Sequence, residues 1–180
     1  KGIEGKIAVI KFARENKIPY FGLCYGMQLL VIEYARNVLG IDAHTAEIRP
    51  DHAENVIDIM PDQKKKLENK DYGGSMRLGS YVCKLKEGTI ARSAYGAAEI
   101  IERHRHRYEV NPNYIDQLSE AGLVFSGTSP DGKLMEIAEL PKSKHPFMLG
   151  TQFHPEFLAR PLDPHPLFTS FIKASIKHKK

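Results

Sequence analysis

Residues 19–40 read PYFGLCYGMQLLVIEYARNVLG, and they leave the backbone few choices. A short apolar run is followed by a cysteine between two glycines, then by a helical repeat. Leu30, Tyr34 and Val38 recur every four residues, with Met27, Val31 and Ala35 beside them, which predicts a helix over 26–39 with one buried face. Gly40 suits the position just past its end, where glycine best takes the left-handed backbone that closes a helix. Residues 18–23 read as a short buried strand. A strand that turns straight into a helix is the building step of an α/β domain.

The rest of the chain fits that class. Residues 3–16 read as a helix with Ile7, Ile10 and Ala13 on one face. MRLGSYVCKL (76–85) reads as a strand, TIARSAYG (89–96) as a turn and short helix, and IERHRHRYEV (101–110) as a strand. NPNYIDQLSEAG (111–122) reads as a helix capped by Asn111, with Pro112 at its first position. LVFSGTSPDGKLMEIAEL (123–140) has the form of two strands around a turn, and PFMLGTQF (146–153) of another strand. Residues 166–177 read as a last helix, with Leu167, Phe171 and Ala174 on one face. Residues 41–75 are less regular, and PDQKKKLENKDYGG within them reads as a mobile surface loop. No repeat or boundary interrupts the pattern, so one α/β domain with a mixed sheet is expected over residues 1–180. The chain enters its first helix almost at once, with no strand before it.

Composition narrows the function classes. Hydrophobic residues make up 42% and charged residues 27% of the 180, ordinary values for a chain that buries one core. No apolar run is long enough to span a bilayer, and KGIEGKIAVI at the start is no signal peptide, so no membrane partner is expected. Cys24 and Cys83 do not make a disulfide scaffold, which points to a reducing compartment such as the cytoplasm. The net charge is +4, but part of it sits in KKK at 64–66 and in KHKK at the C-terminus. Such runs are solvated surface, and no nucleic-acid partner is expected.

GLCYG has the form Gly-x-Cys-x-Gly at a strand-to-helix junction. The corresponding serine turn carries a nucleophile on a strained bend, and Gly22 and Gly26 supply the small flanking residues such a bend needs. The following helix would aim its free N–H groups and positive dipole end at the thiol, favouring the thiolate, and the N–H of Tyr25 would help hold an oxyanion. A small core cysteine between packing glycines explains the same five residues equally well. A nucleophile also needs a base and a group to orient it. TQFHPEFL offers both, because His154 and Glu156 stand two positions apart after a strand, on one face of an extended segment. A lone histidine there reads best as a satisfied strand end; the elbow cysteine combined with His-Pro-Glu favours chemistry. RHRHR by itself suits phosphate or nucleic acid, a metal at His104 and His106, or a solvated edge strand.

PYFGLCYGMQ together with GTQFHPEF resembles the class I (triad) glutamine amidotransferases. Within that family IEYARNVLG, GGSMRLGSYVCKL and above all ERHRHRYEVN resemble the CTP synthases, and the likeness covers essentially the whole chain, as a C-terminal glutaminase domain only. The resemblance implies a three-layer, flavodoxin-like fold with a mixed, largely parallel central sheet and a nucleophile elbow. It implies Cys24 as nucleophile, His154 as base and Glu156 as orienting carboxylate. It implies that Tyr25, Gly26, Met27, Gln28, Glu47 and Arg107 contact the substrate L-glutamine, with Arg105 in support, and that the domain holds no metal or cofactor. Free glutamine presents a carboxylate for an arginine fork and an ammonium for a carboxylate, which suits Arg107 and Glu47. Ammonia would pass to a synthetase domain of the same chain, where ATP with Mg2+ drives the amination of UTP to CTP. GTP would be an allosteric activator, and a homo-tetramer would form through the synthetase domain. GGSMRLG resembles a mobile lid, with Gly74, Ser75 and Arg77 as candidates for coupling to GTP.

Two departures qualify the likeness. Tyr25 stands where CTP synthases usually carry leucine, and CYGMQ is a form familiar from GMP synthase; in the lid, Ser75 replaces the usual threonine. The family also places a glycine-rich loop before the first helix, and its N–H completes the oxyanion hole. That loop, the first strands and the synthetase domain would lie upstream of Lys1. The alternatives are the glutaminase domain of another amidotransferase such as GMP synthase, a non-catalytic binding module of the same fold, or a more distant peptidase-like relative.

Overall fold

In the computed structural model, which describes residues 2–59 and 76–178, the strand-turn-helix unit is formed by β1 (Tyr20–Leu23) and α2 (Tyr25–Asn37), with Cys24 alone between them. α1 (Ile3–Glu15) precedes them, and β2 (His44–Thr45) and β3 (Asn55–Ile59) follow. Then come β4 (Arg77–Leu85), α3 (Ile90–Tyr95), β5 (Glu99–His106), β6 (Tyr108–Val110) and α4 (Ile115–Glu120). β7 (Val124–Thr128), β8 (Met135–Glu139), β9 (Met148–Thr151) and α5 (Pro166–His178) complete the order. The expected loop at 61–74, with Gly74 and Ser75, lies outside the described residues.

Six strands form one sheet in the order β1-β9-β8-β7-β4-β5, and β2-β3-β6 form a second. The sheet is mixed, as expected, but it is not largely parallel. Only β1–β9 and β2–β3 run parallel among the described pairings, and the others are antiparallel. The connections explain this: β7 and β8 are joined by the Ser129–Gly132 turn, with Gly132 at φ 76°, and so short a link admits only antiparallel neighbours.

Helices cover both faces of the large sheet, giving the expected three layers. On one face Ile7 and Ile10 of α1 and Met27, Leu30 and Val31 of α2 form a core that includes Ala138 and Met148. On the other, Ile137, Phe147 and Leu149 pack with Leu167 and Phe171 of α5 and Ala91 of α3. Successive residues 137/138 and 148/149 point to opposite cores, as a pleated strand requires. α1 and α2 are also tied by Arg14, whose guanidinium grips the fully buried Glu33 at 2.8 Å. Among the described residues no helix is long and apolar enough to cross a membrane.

IERHRHRYEV is not one strand. It breaks at Arg107, with β5 on the edge of the large sheet and β6 pairing with β3 in the small one, Val110 opposite Ile57. β3 itself lies in the stretch whose sequence reads only as irregular chain. Residues 111–122 give a short 3-10 turn, Pro112–Tyr114, before α4, and Asn111 caps it by accepting from the Asn113 N–H at 3.1 Å.

Candidate active site

Cys24 has φ 50° and ψ −99°, a conformation a side-chain-bearing residue holds only when its surroundings enforce it. Its N–H donates to Thr151 O at 2.6 Å, and Tyr20 Oη donates to Gly26 O at 2.9 Å across the bend. The two flanking glycines differ. A Cβ on Gly22 would lie 2.7 and 2.8 Å from the backbone C and O of Gly26, whereas one on Gly26 would meet only Tyr20 Oη, at 3.4 Å. Gly150 lets α2 rest on β9, since a Cβ there would come within 2.8 Å of Met27 Cα.

β1 and β9 are parallel neighbours, with Leu23 opposite Thr151, so Cys24 and the segment 152–156 leave the same edge of the sheet. His154 Nδ1 lies 2.6 Å from Glu156 Oε1, and the imidazole stacks on Phe157 at 5.0 Å between centroids. The carboxylate fixes the proton on Nδ1 and leaves Nε2 as the lone-pair nitrogen. That Nε2 is buried and makes no hydrogen bond among the described residues. Among the described residues no hydrogen bond joins it to Cys24; the thiol instead receives Gln152 Nε2 at 3.6 Å.

The surroundings of Cys24 work against the expected thiolate. Burial pushes the Cys24 thiol up to about 11, and the charges of Glu156 and Glu47, with Glu109 once it ionises, push the same way, against the Tyr25 N–H. Desolvation outweighs the Tyr25 N–H and favours the thiol over the thiolate at rest.

The remaining candidates divide. Tyr25 is half-buried under Lys6, whose Nζ lies 5.6 Å from its ring centroid, and Gly26 is half-buried beside the elbow. Met27 is wholly in the core, and Gln28 is buried with Nε2 bonded to Tyr108 O at 3.0 Å and to Gln152 Oε1 at 3.3 Å. Their side chains therefore face inward, and only their backbone is left to meet a ligand. Glu47 is exposed on the turn after β2, and its charge raises Cys24, Tyr25 and Tyr108. Arg107 sits half-buried at the β5–β6 break, its Nε buried without a partner among the described residues, and its charge lowers Tyr108. Opposite charges from two distant segments thus act on one tyrosine hydroxyl. Arg105 is exposed on β5.

β5 resolves RHRHR by alternation: Glu102, His104 and His106 point inward, Arg103 and Arg105 outward. His104 Nδ1 and His106 Nε2 lie 2.8 Å apart and hydrogen-bond each other. Around them Arg77 Nη1 sits 2.6 Å from Glu136 Oε1 and 3.6 Å from Glu109 Oε1, and His106 Nδ1 is 3.3 Å from Glu109 Oε1. Burial pulls His104 down to about 2 and His106 to about 3, lifts Glu136 to about 7 and holds Glu109 well above the usual carboxylate range. One buried arginine cannot keep two buried carboxylates ionised, and Glu136 has the closer claim. Arg77, a lid candidate, is thus turned inward. Glu109, Glu136 and Gln152 escaped the sequence reading; the alternation in ERHRHR and the position of Gln152 before Phe-His-Pro-Glu were the available signals.

Asp42, His44 and His52 also cluster, with His52 Nε2 3.2 Å from Asp42 Oδ2. His52 Nδ1 accepts from the Glu54 N–H at 3.1 Å, so Nε2 carries the proton, and Arg36 and Arg49 face His44 at 3.1 and 3.4 Å. Both features oppose a cation there.

Residues 1–174 match the family described as Glutamine amidotransferase class-I. A CTP synthase of Halalkalibacterium halodurans is 57% identical over 178 residues, 98% of this chain and 32% of that protein. One from Staphylococcus aureus (strain JH9) is 54% identical over the same coverage. The chain therefore spans about a third of the length of these relatives. A solved structure described as the Trypanosoma brucei CTPS glutaminase domain with bound acivicin matches with a TM-score of 0.89 at 38% identity, over 98% of this chain and 67% of that one. The structure of a putative GMP synthase protein from Thermoplasma acidophilum matches with a TM-score of 0.57 at 14% identity, over 98% of this chain and 66% of that one, a likeness of fold alone. By sequence and by fold, the chain belongs to the class-I glutamine amidotransferase family, on the branch of its CTP synthase relatives.

Proposed function

We propose that residues 1–180 form a glutaminase domain in which Cys24, His154 and Glu156 hydrolyse glutamine and supply ammonia for CTP synthesis. The observation that carries this reading is Cys24 in a left-handed elbow, on the same sheet edge as a glutamate-held histidine whose Nε2 has no partner. The acivicin held by the 38% identical relative supports a glutamine-shaped ligand.

Glutamine enters with its α-carboxylate toward Arg107, whose Nε is unpartnered, and its ammonium toward Glu47. Once the substrate is seated, His154 Nε2 takes the thiol proton and Glu156 stabilises the imidazolium. Sγ attacks the carboxamide carbon, and the Tyr25 N–H meets the charge that develops on oxygen. The C–N bond breaks as His154 returns the proton to the leaving nitrogen, freeing ammonia and leaving a γ-glutamyl thioester. Water, deprotonated by the same Nε2, then releases glutamate and the Cys24 thiol.

The finer assignments extend the same reading. A synthetase domain of the same protein, using ATP and Mg2+, would aminate UTP with this ammonia in a cytoplasmic tetramer. GTP would act on the glutaminase site, with Arg77 entering through its buried pair with Glu136.

The full-length protein is expected to convert glutamine to glutamate and ammonia; no hydrolysis above the uncatalysed rate would refute the reading. Arg107→Lys keeps the charge but loses the fork. It is expected to raise KM for glutamine about 10- to 100-fold with kcat changed only a few-fold. A fall in kcat at unchanged KM would remove Arg107 from substrate binding.

A further inference from the structure

Gln152 is fully buried, and each end of its amide has an assigned neighbour. Gln28 Nε2 donates to the backbone oxygen of Tyr108 at 3.0 Å, a group that can only accept. That contact fixes the flip of the Gln28 amide. Its second N–H then meets Gln152 Oε1 at 3.3 Å and fixes the flip of Gln152 in turn. What remains is the Gln152 NH2, 3.6 Å from Cys24 Sγ, an ordinary contact distance for a donor on the larger sulfur atom. The Gln152 backbone is held as well, its N–H donating to Glu136 O at 2.8 Å.

We propose that Gln152 is a further residue of the nucleophile site: its amide holds Sγ in place and stabilises the thiolate after the proton leaves, and Gln28 is the residue that positions it. This rests on the reading of Cys24 as the nucleophile. The charged groups acting on the thiol are Glu47 from the turn after β2 and Glu156 from beyond β9, joined by Glu109 from β6 once it ionises, and all three then oppose the anion. The N–H of Tyr25 and the amide of Gln152 are the donors that oppose them. A hydrogen bond to an ionised acceptor is about twice as strong as one to a neutral acceptor, so the amide favours thiolate over thiol.

The test is the pH profile of Cys24 alkylation by iodoacetamide in the full-length protein, with the site mapped by peptide mass; Cys83 is fully buried. Gln152→Met keeps the length without the donor and is expected to move the profile upward by about one pH unit, with about 10-fold slower alkylation below the midpoint. Gln152→Glu puts a fourth carboxylate beside the sulfur and moves it at least as far. Gln28→Met acts from a second position, frees the Gln152 amide to turn, and gives a smaller rise, so it decides the matter if the Gln152 variants do not fold. An unmoved profile in a folded Gln152→Met or Gln28→Met protein would overturn the proposal. Alkylation needs no glutamine, which separates the two failures. Hydrolysis by the unsubstituted protein with an unmoved profile in the variants removes the role of Gln152, and a moved profile in the variants with no hydrolysis by the unsubstituted protein removes the glutaminase reading instead.

Discussion

Cys24→Ala is expected to abolish glutamine-dependent CTP formation in the full-length protein and to leave ammonia-dependent formation at its original rate. Alanine keeps the elbow and the core but has no group to attack the carboxamide. The proposed glutamine contacts, Arg107, Glu47 and the Tyr25 N–H, are untouched, so binding is expected to persist and the loss to fall on kcat. Nucleophile, base and orienting group act as a unit, and removing the first should lower hydrolysis by about 10^4-fold or more. Free ammonia bypasses that step. Equal loss with both nitrogen sources, measured by CTP formation, would make Cys24 a structural residue.

Gly22→Ala is expected to have the largest effect on stability. The new Cβ would press to 2.7 and 2.8 Å on the backbone of Gly26, and that backbone is the first turn of α2. Relief requires moving the helix that carries Met27, Leu30 and Val31 into the core. Overpacking against so rigid a neighbour costs about 3 kcal/mol, which lowers the melting temperature of a domain this size by about 6–12 °C. Gly26→Ala is the control, because its Cβ meets only Tyr20 Oη at 3.4 Å, and its cost should stay below about 1 kcal/mol. Thermal unfolding of both variants checks this, and equal stability of the two would mean that the elbow is not closed by Gly22.

The elbow and the His-Pro-Glu pair were legible because each is local: Gly22, Cys24 and Gly26 announce a bend, and residues 154 and 156 stand two apart, although they meet across a 3-10 turn, Pro155–Phe157, and not on the expected extended segment. The helices over 3–16, 26–39 and 166–177 were legible from one-face periodicity, and each lies within a few residues of its observed bounds. What was hidden depends on residues far apart. The break at Arg107 exists because Val110 pairs with Ile57 in a second sheet, and nothing within ERHRHRYEV marks that change of partner. The sheet direction was misjudged because the hairpin links between strands outnumber the crossovers. The helix end beside the thiol is visible in the sequence, but the proton affinity of Cys24 is set by burial and by carboxylates from three other segments. Gln28 reads in the sequence as a ligand contact, and nothing there shows that its side chain donates to Gln152, 124 residues away in the chain.

The most direct test is to quench the full-length protein in acid during turnover with glutamine and to analyse the Cys24 peptide by mass spectrometry. A γ-glutamyl thioester on Cys24, absent from the Cys24→Ala protein, is predicted. Continued release of glutamate with no adduct on Cys24, and with the alanine variant still turning over, would contradict a nucleophilic role for that cysteine.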